Sequence, residues 1–271
     1  MKRIPQFAAT GGLIAYCLLP FAWMVISSLR RPADQFSNDP LPLPPSLDNY
    51  RAAFDPANGF AKALLNSLIV AGVTTVVVVA VAALMAYAIA RLEFPFKGVI
   101  LGFIIATAMF PGITILVPML EVIIKLDWIN TYQAMVLPTI SFALPLAVWA
   151  LTAYFRQLPV ELEQAAQVDG CGPLEAFYRI MLPLAAPGVF TTAILAFIAS
   201  WNEFMVAASV VNRKDTMTAN VILSLFTGQY GFDQPFGTQM AAGTVVTVPL
   251  VVLVLICQRR IVDGLTAGGV K

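Results

Sequence analysis

From Leu64 to Ala90 the chain runs for 27 residues without a charged side chain. At about 1.5 Å per residue a helix of that length reaches roughly 40 Å, more than the ~30 Å hydrocarbon core of a bilayer. The segment therefore predicts a membrane-spanning helix that tilts or protrudes. Further apolar runs of membrane length lie at about 7–29, 98–120, 132–155, 184–211 and 238–257. Together they predict an all-α membrane protein of six transmembrane helices, forming one domain over residues 1–271. Composition agrees: 59% of residues are hydrophobic and only 11% charged, against about 25% charged in an average soluble domain.

The segments between the runs set the organisation. Lys2 and Arg3 precede a first run too long for a signal-peptide core and without a convincing cleavage site, so it reads as an uncleaved span. Residues 30–62 carry Pro32, Pro40, Pro42, Pro44 and Pro45 among polar residues, which excludes a membrane helix and predicts an ordered or extended external loop. A short charged turn follows at 91–97, a polar hairpin at 121–131 and a loop at 212–237. Prolines 111, 118, 138, 145 and 249 lie inside apolar runs. They fit broken helices that line a cavity and bend during gating, and equally the ordinary frequency of proline in membrane helices. Six spans place both termini on one side. With that side inside, the 16 Lys and Arg divide 9 inside to 7 outside, a weak bias toward this orientation.

Much chemistry is excluded. The chain has no histidine, hence no Ser-His-Asp triad, His-ligated zinc or His proton relay. Cys17, Cys171 and Cys257 are far apart, form no metal-ligand pattern and predict no disulfide framework. No metal site is expected. A net charge of +1 offers no basic patch for nucleic acid. No G-x-x-x-x-G-K-[ST] motif is present, so the chain cannot itself cradle ATP phosphates in a P-loop.

The segment 158–183, LPVELEQAAQVDGCGPLEAFYRIMLP, is the long polar-rich stretch between two membrane-length runs. Pro159 suits the first turn of a helix, with Glu161 and Glu163 near the positive end of its dipole. Ala165 and Ala166 offer a small-residue surface for close approach by a partner. Gly170 stops this helix, and Gly172-Pro173 start a second with Glu175 in its first turn. Leu174, Phe177, Tyr178 and Met181 recur at helical spacing and predict one apolar stripe. Two short helices joined by a sharp bend at the membrane surface are expected.

These residues also carry a resemblance. The spacing from Gln164 through Ala165, Ala166, Asp169, Gly170 and Ile180 to Leu182 and Pro183 resembles the EAA loop of ABC-importer permeases. In that family the loop is a coupling helix docked on a cytoplasmic ATPase. One position departs: Gln164 stands where the family has Glu, and Glu163 precedes it. An ATPase Arg would then meet either a Gln164 hydrogen bond or the Glu163 carboxylate. Asn49-Tyr50, Asn66-Ser67, Ala86-Tyr87-Ala88 with Ala90-Arg91, Phe110-Pro111 and Trp201-Asn202-Glu203-Phe204 stand in the order seen in sugar-importer permeases. The resemblance is to the smaller permease of the maltose-importer type, and within that group to permeases of trehalose importers. The terminal GLTAGGVK resembles the tail that reaches between the two ATPase subunits there, through Gly268, Gly269, Val270 and Lys271. Without the resemblance, a frayed terminus fits the same residues.

The resemblance implies the type I ABC-importer permease fold, with the coupling helices between spans four and five. It implies half of a translocation pore for a di- or oligosaccharide, trehalose among them. The implied partners are a second homologous permease, an ATPase dimer, an extracytoplasmic sugar-binding protein or lipoprotein, and membrane lipid. ATP and Mg would sit on the ATPase, with no cofactor on this chain and no enzymatic site of its own. The implied location is a bacterial or archaeal cytoplasmic membrane, crossed several times, both termini cytoplasmic. Glu203 is the one acidic residue within an apolar run. With Trp201 and Asn202 it fits a polar and aromatic patch for sugar at an external gate, or an interfacial Trp belt with a helix-end carboxylate in water. Two other classes remain open: a secondary transporter driven by an ion gradient, and a membrane enzyme or scaffold.

Overall fold

The computed structural model describes residues 3–37, 39–226 and 235–267. Regular structure among the described residues is wholly helical. The α-helices are α1 (Arg3–Ser28), α2 (Asp48–Ala53), α3 (Phe60–Arg91), α4 (Lys97–Thr107), α5 (Gly112–Lys125), α6 (Tyr132–Gln157) and α7 (Val160–Val168). After them come α8 (Pro173–Ala176), α9 (Leu182–Leu184), α10 (Ala186–Trp201), α11 (Met205–Val210), α12 (Ala219–Ser224) and α13 (Phe236–Ala267). A π turn over Phe177–Met181 joins α8 to α9.

Among the described residues, four helices are long and apolar enough to cross a bilayer: Ala9–Ser28, Phe60–Arg91, Tyr132–Gln157 and Phe236–Gln258. The rest of the apolar sequence forms two bent pairs. Lys97–Thr107 meets Gly112–Lys125 at 88°, and Pro173–Leu184 meets Ala186–Trp201 at 78°. The chain therefore has four candidate spans, or up to six if each bent pair is one span. It is a multi-pass membrane protein.

The run at 98–120 is not one rod, and the reason is local. The N–H groups of Ala108, Met109 and Phe110 each reach back three residues, to Ile105, Ala106 and Thr107, so the helix tightens and then stops. Pro111 has no N–H to continue it and becomes the N-cap of α5. Pro118, Pro138, Pro145 and Pro249, by contrast, stay inside helices. The run at 184–211 is likewise divided. The Leu182 N–H reaches Phe177 O, the wide π pattern. Pro183 and Pro187 then remove two donors on either side of Ala185, where the chain turns. α10 stops at Trp201, and α11 begins only at Met205.

The chain divides into two compact units, one of residues 1–64 and 218–251, the other of 65–217 and 252–271. In the first unit the segment after α1 is an ordered loop. Arg30, nearly fully buried, lies 5.5 Å from the Trp23 ring centroid and donates to the carbonyls of Ser37 and Asp39. Asn49 donates to Ser28 O at 3.0 Å and Arg30 O at 2.6 Å, capping the open end of α1. A Cβ on Gly237 would fall 2.6 Å from the Asn49 side chain, so any larger residue there would have to displace the Asn49 amide.

The second unit packs α3 on α6 and on Phe177 and Met181. Ala82, Ala83 and Ala86 of α3 share one buried cluster with Val148, Leu151 and Phe155 of α6. A Cβ on Gly188 would lie 2.6 Å from the Tyr154 ring, so the absence of a side chain there lets Tyr154 of α6 pack against α10.

Candidate functional site: the connector between α6 and α10

α7 opens after Pro159, which stands one position earlier than the first helical turn, at the N-cap. Glu161 and Glu163 occupy the first turn, where the helix dipole favours negative charge. The helix ends through two specific bonds. Cys171 N–H donates to Ala166 O at 2.9 Å and Gly170 N–H to Gln167 O at 3.0 Å, with Gly170 at φ +88°. This is the Schellman pattern, and its left-handed residue favours glycine. Gly172 is the N-cap of α8 and Pro173 its first residue.

α7 turns Glu163 and Ala166 inward and leaves Gln164, Ala165, Asp169 and Gly170 exposed. The two alanines thus serve different faces, Ala165 outward and Ala166 packed. The predicted stripe of the second helix also splits. Phe177 and Met181 are buried in the core, whereas Leu174 and Tyr178 point out, 61% and 53% exposed. Those four residues span more than one side of a helix, and the core takes only the i, i+4 pair. Leu182 packs against the core and Pro183 is exposed. Val168, at 87% exposure, adds to the outward apolar surface of an otherwise polar segment.

The inward side holds a knot of polar groups. Tyr87 Oη donates to Glu163 Oε1 at 2.7 Å, and it also lies 3.1 Å from Pro173 O. One hydroxyl has one proton, and the shorter, charged acceptor takes it. Arg91 Nε is 3.8 Å from Glu163 Oε2, an ion pair without a hydrogen bond. Arg91 also donates to Phe155 O at 2.7 Å and to Leu158 O, the carbonyls that end α6, where the dipole favours a cation. Both charged side chains are more than nine-tenths buried, at 5% and 9% exposure. Removing one member of such a pair typically costs about 3–5 kcal/mol, because the other charge stays desolvated. Glu163 is thus not on the outward face, and of the two residues able to meet an incoming arginine only Gln164 is presented.

Sequence reasoning missed Arg91 and Tyr87 as members of this site. The signal was present: Arg91 is the first charge after the long apolar run, and Tyr87 lies four residues before it, one turn away on the same face.

The three residues considered for a sugar gate are not gathered toward one point. Trp201 is buried, its ring stacked on Phe197 at 5.7 Å. Asn202 is exposed and donates to Ile198 O at 2.9 Å. Both Glu203 oxygens accept backbone N–H groups at the start of α11, from Val206 at 2.8 Å and Ala207 at 3.1 Å. This is a helix-end carboxylate, and it satisfies N–H groups that the break after Trp201 leaves free. At the C-terminus α13 continues to Ala267, so the first four residues of the GLTAGGVK tail are helical. Gly268, Gly269, Val270 and Lys271 lie outside the described residues.

Comparison with known proteins places this architecture. Residues 78–266 match the family described as "Binding-protein-dependent transport system inner membrane component". The chain is 42% identical to the "Trehalose transport system permease protein SugB" of Mycobacterium tuberculosis, over 96% of this chain and 94% of that protein. It is 39% identical to the "Trehalose/maltose transport system permease protein MalG" of Thermococcus litoralis, over 100% of this chain and 98% of that protein. Its fold matches a chain of a bacterial ABC transporter involved in the import of the acidic polysaccharide alginate, with a TM-score of 0.77 at 19% identity, covering 94% of this chain and 95% of that one. The chain belongs to the family of binding-protein-dependent transport system inner membrane components.

Proposed function

We infer that the chain is the permease subunit of an ATP-binding-cassette sugar importer, forming half of the translocation pore and taking up a di- or oligosaccharide. Trehalose is the proposed cargo, because two relatives of near-equal length are named for its transport. Residues 1–271 act as one permease domain with six crossings, the bent pair of α4 and α5 counting as one and the run at 184–211 as another. The connector and both termini face the cytoplasm. A second homologous permease completes the pore, an ATPase dimer binds ATP and Mg, and an extracytoplasmic binding protein delivers the sugar.

The observation that carries this reading is the outward face of the connector. Gln164, Ala165, Val168, Leu174 and Tyr178 expose apolar and neutral polar surface on two helices joined by a Gly-stopped turn. Exposed apolar surface rimmed by polar residues suits a protein partner. Asp169, Gly170, Leu182 and Pro183 shape the turn and the exit into α10. Gly268 to Lys271 are the proposed tail contact with the ATPase. Moving a two-state balance from 1:99 to 99:1 takes about 5.5 kcal/mol of differential interaction, which a docked ATPase can supply through this face.

A gradient-driven carrier is disfavoured by Glu203. Its two oxygens are occupied by backbone N–H groups, which leaves the one carboxylate in an apolar run poorly suited to carry an ion. The test is uptake of a panel of labelled disaccharides by cells with and without this chain, followed by Ala165→Trp in the assembled complex. ATP-dependent uptake that Ala165→Trp abolishes supports the reading. Uptake by the purified chain alone under a proton or sodium gradient overturns it.

A further inference from the structure

We propose that Tyr87, Arg91 and Glu163 form a latch that makes α7 and the C-terminal end of α3 move as one body. A displacement of the connector then reaches α3 directly, and not only the two spans continuous with it. The inference rests on reading the connector as the ATPase-docking element.

Three observations carry it. α7 has a break at each end, at Leu158-Pro159 and at Asp169–Gly172, so chain continuity alone gives it two soft joints. A helix held only through such joints would swing without moving its neighbours. Next, the buried residues of α7 are Glu163 and Ala166, and Ala166 contributes a single methyl group. α7 also packs against α8 and the π turn, but its buried polar link to α3 is this one carboxylate. Finally, that carboxylate meets two residues of α3 one turn apart, and the second of them is itself pinned to the terminal carbonyls of α6.

Burial makes the attachment stiff. A surface ion pair exchanges with water as the helices move, whereas here both charges are removed from solvent. Separation would leave a desolvated, unpaired ion, so the group holds or breaks as a unit. Tyr87 adds direction. Its ring packs edge-on against Phe155 at 6.1 Å and tilted against Phe177 at 5.0 Å, which fixes the hydroxyl toward Glu163. Arg91 and Tyr87 are thus positioning residues for the coupled movement, with no part in binding ATP or sugar.

The test is a distance measurement in the assembled complex. Spin labels are placed at Leu92→Cys, just past α3, and Gln167→Cys on the exposed side of α7, with Cys17, Cys171 and Cys257 replaced by Ser. The expected result is one narrow distance that is the same with and without ATP. A nucleotide-dependent change in this chain, whose Tyr87, Arg91 and Glu163 are unaltered, overturns the latch. Tyr87→Phe keeps the ring packing and removes only the hydroxyl. It is expected to broaden the distance distribution and to lower sugar taken up per ATP hydrolysed by roughly tenfold, the weight of a hydrogen bond to a charged acceptor, with the ATPase still attached. An unchanged distribution and an unchanged ratio in both Tyr87→Phe and Glu163→Gln also overturn it. Failure of the underlying reading looks different: Ala165→Trp, on the outward face, would then leave ATPase attachment and uptake intact. Failure of the latch alone leaves Ala165→Trp uncoupled and Tyr87→Phe normal.

Discussion

The two ends of the second unit's share of α3 are tied down by different chemistry. Near its start, the fully buried Asn66 donates to Asp215 O at 3.0 Å and Met217 O at 2.9 Å, and accepts from Tyr132 Oη at 2.7 Å. The amide is neutral and its groups are satisfied within hydrogen-bond distance. At the other end Arg91 and Glu163 are charged, and the Arg91 Nε has no hydrogen-bond partner. A neutral, satisfied staple is a static feature: it fixes where the loop at 212–217 meets the helix. A buried ion pair is costly to form and more costly to break, a cost that makes sense where two elements must stay together under load. The difference marks the Arg91 end as the working end of α3.

The comparison breaks most readily at Glu163. Glu163→Ala leaves Arg91 buried without a counter-charge and is expected to cost about 3–5 kcal/mol, seen as a lower thermal unfolding midpoint of the purified complex. Asn66→Ala strands two carbonyls and a hydroxyl, for a smaller loss of about 1–3 kcal/mol by the same measurement. The two should part on function. The Asn66 variant is expected to keep its ratio of sugar moved to ATP hydrolysed, while the Glu163 variant loses it. An Asn66 variant that uncouples as strongly would show that both ends of α3 carry load.

A finer contrast lies within the connector, between its two glycines at the turn. Gly170 has φ +88°, a conformation that costs an L-residue roughly 1–2 kcal/mol, so Gly170→Ala should destabilise by about that much. Gly172 has φ −71° and nothing within 4 Å of a built Cβ. Gly172→Ala should therefore fall within a few tenths of a kcal/mol of the parent, apart from the loss of a fair N-cap residue. Equal effects at the two positions would mean that the Schellman turn is not what ends α7.

How much of this was legible in the chain follows from what each signal encodes. The charge-free run from Leu64 to Ala90 and the run from Tyr132 to Phe155 appear as single helices because hydropathy reports burial along a segment. Hydropathy carries no direction, so the 88° and 78° bends were invisible to it, although Pro111, Pro183 and Pro187 stand at both places. The stop at Gly170 was readable, since glycine after a helix has a local physical cause. The facing of α7 was not. Glu161, Glu163 and Gln164 are similar polar residues in sequence, and which of them turns inward is decided by Tyr87, 76 positions away. Glu203 sat at the boundary between the two cases. A carboxylate three and four residues before free N–H groups is a local cap, but only a break after Trp201 makes those N–H groups free.

The smallest expected effect sharpens the contrast most. Arg179 and Glu175 form an i, i+4 ion pair at 2.8 Å on the exposed side of the connector, with the two side chains 72% and 41% exposed. It is a full 1.0 Å shorter than the 3.8 Å between Arg91 and Glu163. If separation ranked these pairs, Arg179 would matter more. Solvent reverses the order, because water screens the exposed charges and each remains well hydrated when the other is removed. Arg179→Ala is therefore expected to cost about 0–1 kcal/mol, shrinking further in high salt, and to leave sugar transport coupled. Unfolding of the purified complex at low and high salt, beside the Glu163→Ala variant, measures both pairs at once. A large, salt-insensitive loss at Arg179 would mean that a partner buries this pair, and the outward face of the connector would then extend to Glu175.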